Sequence, residues 1–209
     1  MKALAATAAL LLAPAALAQD IAGRFDYYVL SLSWSPSWCR AEGGAEDAAQ
    51  CDAGRRIGFV VHGLWPQYER GWPEDCRTDA RDPSRRESRA MADVMGSGGL
   101  AWYQWKKHGR CSGLTARDYF ALTRKAAKAI TVPGPLHRLD RDVTLPAQVV
   151  EEAFIEANPA LTRDGITVTC RDRALQEVRI CLTRDLEPRA CGADARRDCP
   201  GRFLTPAPR

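Results

Sequence analysis

Apolar and polar positions change their period several times along the chain. From Phe25 to Trp34 (FDYYVLSLSW), Tyr28, Leu30, Leu32 and Trp34 fall on one face, the period of a half-buried strand, which Pro36 ends. Ile57 to His62 is a second apolar run, read as a buried strand that leads directly into Gly63-Leu64-Trp65-Pro66. Pro73 to Pro83 is irregular, and Ser84 to Met95 reads as helical up to Gly96. Leu100 to His108 predicts a short aromatic helix that stops at Gly109. Thr115-Ala116-Arg117-Asp118 resembles a capping box and opens a helix reaching Ile130. Pro133 to Leu139 reads as a loop, and Pro146 opens a further helix that ends before Pro159. Two more strands follow, Ile166 to Arg171 and Leu175 to Thr183, the latter alternating Val178, Ile180 and Leu182 with polar positions. Ala41 to Gly54 and the tail from Pro188 read as loops. Strands and helices mix without a regular βαβ period, repeat or long linker, which predicts one domain of α+β class.

The first residues follow another logic. Lys2 gives a positive start, Ala3 to Leu12 is apolar apart from Thr7, and Ala16-Leu17-Ala18 places small residues where a signal peptidase reads. The run is shorter than the ~20 residues needed to cross a bilayer. Residues 1–18 are therefore expected to be a signal peptide and 19–209 the exported domain, periplasmic or extracellular, with no membrane attachment after cleavage.

All eight cysteines (39, 51, 76, 111, 170, 181, 191 and 199) follow that segment. An even count in an exported chain reads as a disulfide framework, whose pairing the count leaves open. No Cys-x-x-Cys pair suggests zinc, and no metal is expected. Composition adds limits rather than identity. Thirty Lys and Arg against 26 Asp and Glu give a net charge of +4, too mild for a basic nucleic-acid coat. The three histidines are more informative, because they are the natural candidates for proton chemistry near neutral pH.

His62 ends a predicted buried strand just before a Gly turn and Trp65. His108 ends the aromatic helix, where Gln104 stands at i−4 to it and Tyr103 at i−4 to Lys107. One helix face can thus present Tyr103, Gln104, Lys107 and His108, while Trp102 and Trp105 enter the core. Two imidazoles with a lysine and an amide suit metal-free acid–base chemistry on a phosphodiester, one accepting a proton while the other donates one. His137, in the Pro-rich segment VPGPLHRLD, receives no catalytic role, and Trp34, Trp38, Trp72 and Trp102 read as core residues.

These segments carry a resemblance. Leu32-Ser33-Trp34-Ser35-Pro36 leading to Cys39, Phe59-Val60-Val61-His62-Gly63-Leu64-Trp65-Pro66, Trp105-Lys106-Lys107-His108-Gly109-Arg110-Cys111, and the stretch from Cys170 to Asp185 appear in the order of the T2 family of secreted acid ribonucleases. The chain resembles that family over most of its length past residue 18. The resemblance implies an α+β fold with a central, mostly antiparallel sheet, no cofactor and single-stranded RNA as substrate. It also implies His108 as the base on the ribose 2′-hydroxyl, His62 as the acid for the leaving 5′-oxygen, and Lys107 as the transition-state cation. A 2′,3′-cyclic phosphate forms and is then hydrolysed to a 3′-phosphate. Trp65 would contact the substrate at the scissile site, with Gln67 and Tyr68 as base-pocket candidates. The implied disulfides are Cys39–Cys51, Cys76–Cys111, Cys170–Cys199 and Cys181–Cys191.

Two positions depart from the family pattern, which reads His-Glu-Trp before the Lys-His step. Here Tyr103 and Gln104 stand in place of the histidine and glutamate. Gln104 can donate a hydrogen bond to a phosphate oxygen but cannot exchange a proton, and Tyr103 offers a neutral hydroxyl. Arg110, where threonine is common, adds a positive group. An active monomeric enzyme is expected. The alternatives are a catalytically silent RNA-binding relative and a metal-dependent nuclease.

Overall fold

The computed structural model describes residues 20–43, 49–52 and 54–209, so the expected signal peptide and the start of the exported domain lie outside the described residues. Six strands form one sheet: β1 (Tyr27–Trp34), β2 (Phe59–Gln67), β3 (Val143–Pro146), β4 (Ile166–Arg171), β5 (Ala174–Leu182) and β6 (Arg202–Thr205). The order is β2-β1-β5-β6-β3, with β4 also paired to β5. All pairings are antiparallel except β5 with β6, which meet in parallel at Ala174 and Leu204. The helices are α1 (Ser35–Trp38), α2 (Arg85–Arg89), α3 (Ala92–Met95), α4 (Gly98–Lys107), α5 (Ala116–Ala129), α6 (Gly134–His137) and α7 (Ala147–Ala157). The class is α+β.

Alternation gives the sheet two unlike faces. Tyr28, Leu30, Leu32, Trp34, Val178, Ile180 and Leu182 join Trp105, Tyr119 and Phe154 in the main core. Tyr27, Val29, Cys181 and Cys191 form a small second cluster, against which Trp65 packs. Each fully buried large side chain contributes about 1.5–3 kcal/mol, so the first cluster dominates stability and the second leaves room for a site.

The register between β1 and β2 skips one residue. Ser31 faces Gly63 and Leu32 faces Val61, which leaves His62 as the extra residue of a β-bulge. Such an insertion bends a strand and re-aims a side chain. β2 then continues through Gly63-Leu64-Trp65-Pro66 to Gln67 rather than ending at His62.

Four disulfides, Cys39–Cys51, Cys76–Cys111, Cys170–Cys199 and Cys181–Cys191, join all eight cysteines. Three expectations change in detail. The helix read over 84–95 is two short helices, α2 and α3, separated at Ala90 and Met91. The segments read as loops contain α6 and β6, and β3 forms just before α7. Trp102 is 44% exposed and Trp72 54%, so neither belongs to the core.

Candidate active site

The bulge in β2, the end of α4 and the polar face of β5 converge on Trp65. Its ring centroid lies 5.3 Å from the His62 ring and 5.3 Å from the His108 ring. A cavity of about 310 Å³ between these elements is lined by Trp65, Gln67, Trp72, Lys107, His108 and Arg179, among others. A larger hollow, about 780 Å³, lies beyond His62 and takes Ser33, Trp38, Gln50, Arg171 and Gln176 among its lining. His62 and Glu177 belong to its wall.

Helix α4 delivers His108 through a buried stripe. Ser97 caps the helix by accepting from the Leu100 amide at 3.1 Å. Ala101, Gln104, Trp105 and His108 are buried, the i, i+3, i+4, i+7 spacing of a core-facing helix. Gln104 is therefore interior, and its Oε1 accepts from Trp65 Nε1 at 2.6 Å. Tyr103 is exposed, outside the cavity lining. Gly109 follows because a Cβ there would fall 2.7 Å from the Trp105 ring and 2.8 Å from Tyr119. Cys76–Cys111 then ties this turn to the segment after β2.

The two imidazoles sit in different electrostatic settings. His62 Nδ1 meets Glu177 Oε1 in a short hydrogen bond. Glu177 is 2% exposed, and its other oxygen accepts from Arg179 Nε at 2.8 Å and Nη2 at 2.6 Å. Burial works against the Glu177 charge, but the bond from His62 and the Arg179 guanidinium outweigh it and hold the carboxyl below its usual range. His108 has no such partner. Burial, then Lys107 and His62, push it down to about 3, which keeps it neutral. Its Nδ1 is buried with no hydrogen bond. At Lys107, burial disfavours the charge, yet Tyr103 and Glu74, the latter with an oxygen 3.4 Å from Nζ, raise its pKa above the ordinary value. The arrangement pairs a neutral base with an imidazole held against a carboxylate, beside a cation.

The structure thus gathers His62, Trp65, Gln67, Gln104, Lys107 and His108, and leaves others outside. Arg110 lies away from the cavity lining and donates to Asp82 Oδ1 at 2.6 Å, beside the Trp105 indole that donates to the same oxygen. Its charge is engaged by Asp82 at the end of α4. Tyr68 turns to Asp20 Oδ1 at 3.2 Å, again outside the cavity lining. Glu177 and Arg179 were missed. The signal was present, since they are the polar alternates of Val178 and Ile180, but alternation marks a polar face without distinguishing water from a site. Among the described residues no three His, Cys, Asp or Glu side chains are gathered to hold a metal ion.

Comparison with known proteins supplies the family. The model of the Ribonuclease T2 family matches residues 25–191. A ribonuclease of Aeromonas hydrophila is 37% identical over 193 residues, covering 88% of this chain and 86% of that protein. Ribonuclease I of Escherichia coli (strain K12) is 30% identical over 206 residues, 78% of this chain and 77% of its own. Among solved structures, RNase NT in complex with 5′-AMP superimposes with a TM-score of 0.68 at 20% identity, over 88% of this chain and 99% of its own. The family match spans both histidine segments and the strands that carry them: the chain belongs to the Ribonuclease T2 family.

Proposed function

We propose that this chain, an endoribonuclease of the T2 type, cleaves single-stranded RNA by metal-independent transphosphorylation, outside the cytoplasm. The observation that carries this reading is two unlike imidazoles gathered at one indole, each 5.3 Å from the Trp65 ring. His108, kept neutral by burial, takes the proton of the ribose 2′-hydroxyl. That oxygen attacks the adjacent phosphorus, Lys107 favours the charge that develops on the phosphoryl oxygens, and Gln104 holds the Trp65 indole in place beside them. His62, with Nδ1 on Glu177, gives a proton from Nε2 to the departing 5′-oxygen. The 2′,3′-cyclic phosphate is then opened by water with the roles exchanged, giving a 3′-phosphate. Trp65 packs against the nucleotide at the scissile site and Gln67 contacts its base, while the larger hollow beyond His62 receives the leaving nucleotide. The four disulfides suit an oxidising compartment, and a signal peptide over 1–18 would lead there.

The test is an assay of the purified, oxidised protein on RNA and DNA side by side in excess EDTA. RNA should be cut with 2′,3′-cyclic phosphate products, and DNA, which lacks the internal nucleophile, should survive. His62→Ala and His108→Ala should each lower kcat by about 10²–10⁴-fold. Intact RNA that is bound equally well by the wild type and by His62→Ala would favour a silent RNA-binding relative instead. EDTA-sensitive cutting of DNA would favour a metal enzyme.

A further inference from the structure

We propose that Glu177 is a positioning residue of this site: its buried carboxylate fixes His62 with the proton on Nδ1, turns Nε2 to the substrate and stabilises the imidazolium that donates to the leaving oxygen. The inference rests on the ribonuclease reading above. Its basis is geometric. On β5, Glu177 lies opposite Ser33 of β1 and Thr169 of β4, so it stands in the middle of the sheet, on the face away from Val178 and Ile180. A carboxylate so placed needs partners, and it has them for both oxygens, His62 Nδ1 on Oε1 and the Arg179 fork on Oε2. The bulge at His62 brings the ring to that carboxylate, across the strand between them.

The groups facing His62 leave Glu177 as its carboxylate contact. From the end of α4 come neutral His108 and, behind it, Lys107. From β5 come Glu177 and Arg179, whose guanidinium also lies 5.3 Å from the Trp65 ring centroid. Around the larger hollow, Arg40 is paired with Asp142, and Arg171 with Glu42 and Asp172. Gln104, in the place of the family's glutamate, is uncharged and engaged by Trp65. The sheet thus supplies, from β5, the negative charge that makes one imidazole a donor while the other remains a base.

The test compares Glu177→Gln, Glu177→Asp and Glu177→Ala as oxidised, full-length domains. Three measurements are needed: kcat and KM against pH on a dinucleoside phosphate, ring-nitrogen NMR of His62, and Tm. Glu177→Gln is nearly isosteric and keeps an acceptor for Nδ1–H. Its alkaline limb of kcat should move measurably to lower pH, because the carboxylate in contact with the ring is gone. KM and the NMR signature of the Nδ1–H tautomer should stay. Glu177→Ala should also mix the tautomers and lower kcat at its optimum by about 10²-fold, and Glu177→Asp should recover part of both effects. An alkaline limb that does not move in a folded, active Glu177→Gln overturns the proposal. So does a uniform loss at all pH values that follows Tm. A wild type that leaves RNA intact, with the tautomer still set by Glu177, overturns the ribonuclease reading itself.

Discussion

At the scale of single residues, the site works through difference rather than number. Two of three histidines stand within 5.3 Å of one indole, yet one ring is bonded to a carboxylate and the other is buried beside a lysine. Gln104 keeps that contrast sharp, because an uncharged neighbour adds no anion to the His108 pocket. Gln104→Glu can still accept from Trp65 Nε1 but places a negative charge on the turn before His108. An anion nearby favours the imidazolium, so the pKa of His108 should rise from about 3, by about 1–3 units. The acid limb of the kcat/KM profile should move to higher pH by the same amount, and a pH–rate comparison of the two proteins checks it. Arg110 shows the opposite lesson. In the sequence it is an added positive group, and packing pairs that charge with Asp82.

At the scale of elements, the decisive feature is a strand with one residue too many. The apolar run through Val60 and Val61 and the Gly-Leu-Trp-Pro that follows are visible in the chain, but the bulge at His62 depends on how β2 aligns with β1. Gly63 sits where that alignment is tightest. A Cβ there would fall 2.6 Å from Gln104 Oε1 and closer still to Trp65 Nε1, so Gly63→Ala must push both apart. The expected cost is about 1–3 kcal/mol of stability. Loss of cleavage should be greater than that fall in Tm accounts for, since Trp65 is displaced; thermal melts beside turnover measurements check this. Helix α4 was legible in extent, to within two residues at its start, but not in orientation. The sequence put Trp102 inward and Gln104 outward on a shared polar face, whereas the core took Ala101, Gln104 and Trp105 and left Trp102 outside. A helix so rich in aromatics satisfies more than one apolar face, and its neighbours choose between them.

At the scale of the whole molecule, one sheet separates a large core from a functional face, and a second acidic site responds to pH. Glu151, on α7 beneath β4, is 4% exposed, lies 3.2 Å from Arg163 and faces Asp198. Burial, then Asp198, raises it to about 7. A carboxyl whose folded pKa lies above its unfolded value, about 4.3, binds its proton more tightly when folded. Its stabilising contribution is complete below the unfolded pKa and disappears as pH rises through about 7. Glu151→Gln should therefore flatten the loss of stability between pH 4.5 and 7 and gain about 1–3 kcal/mol at neutral pH. Urea titrations of both proteins across that range check it, and parallel slopes would show that Glu151 is not the source.

Local information decided a definite share of this protein. Alternation in β1 and β5 and the start signals at Thr115 and Pro146 marked those strands and helices, because each places an apolar stripe in the main core, and the two His motifs brought His62, Trp65, Lys107 and His108 to notice. Tertiary structure decided what depends on residues distant in the chain. β6 meets β5 in a single parallel pair, Ala174 with Leu204, and four residues carry too short a pattern to announce that. Glu177 looked like any polar alternate until the bulge brought His62 to it from 115 positions away. Sequence specifies which residues seek water or apolar surroundings; only packing determines which polar group, once buried, must find its charge partner in another strand.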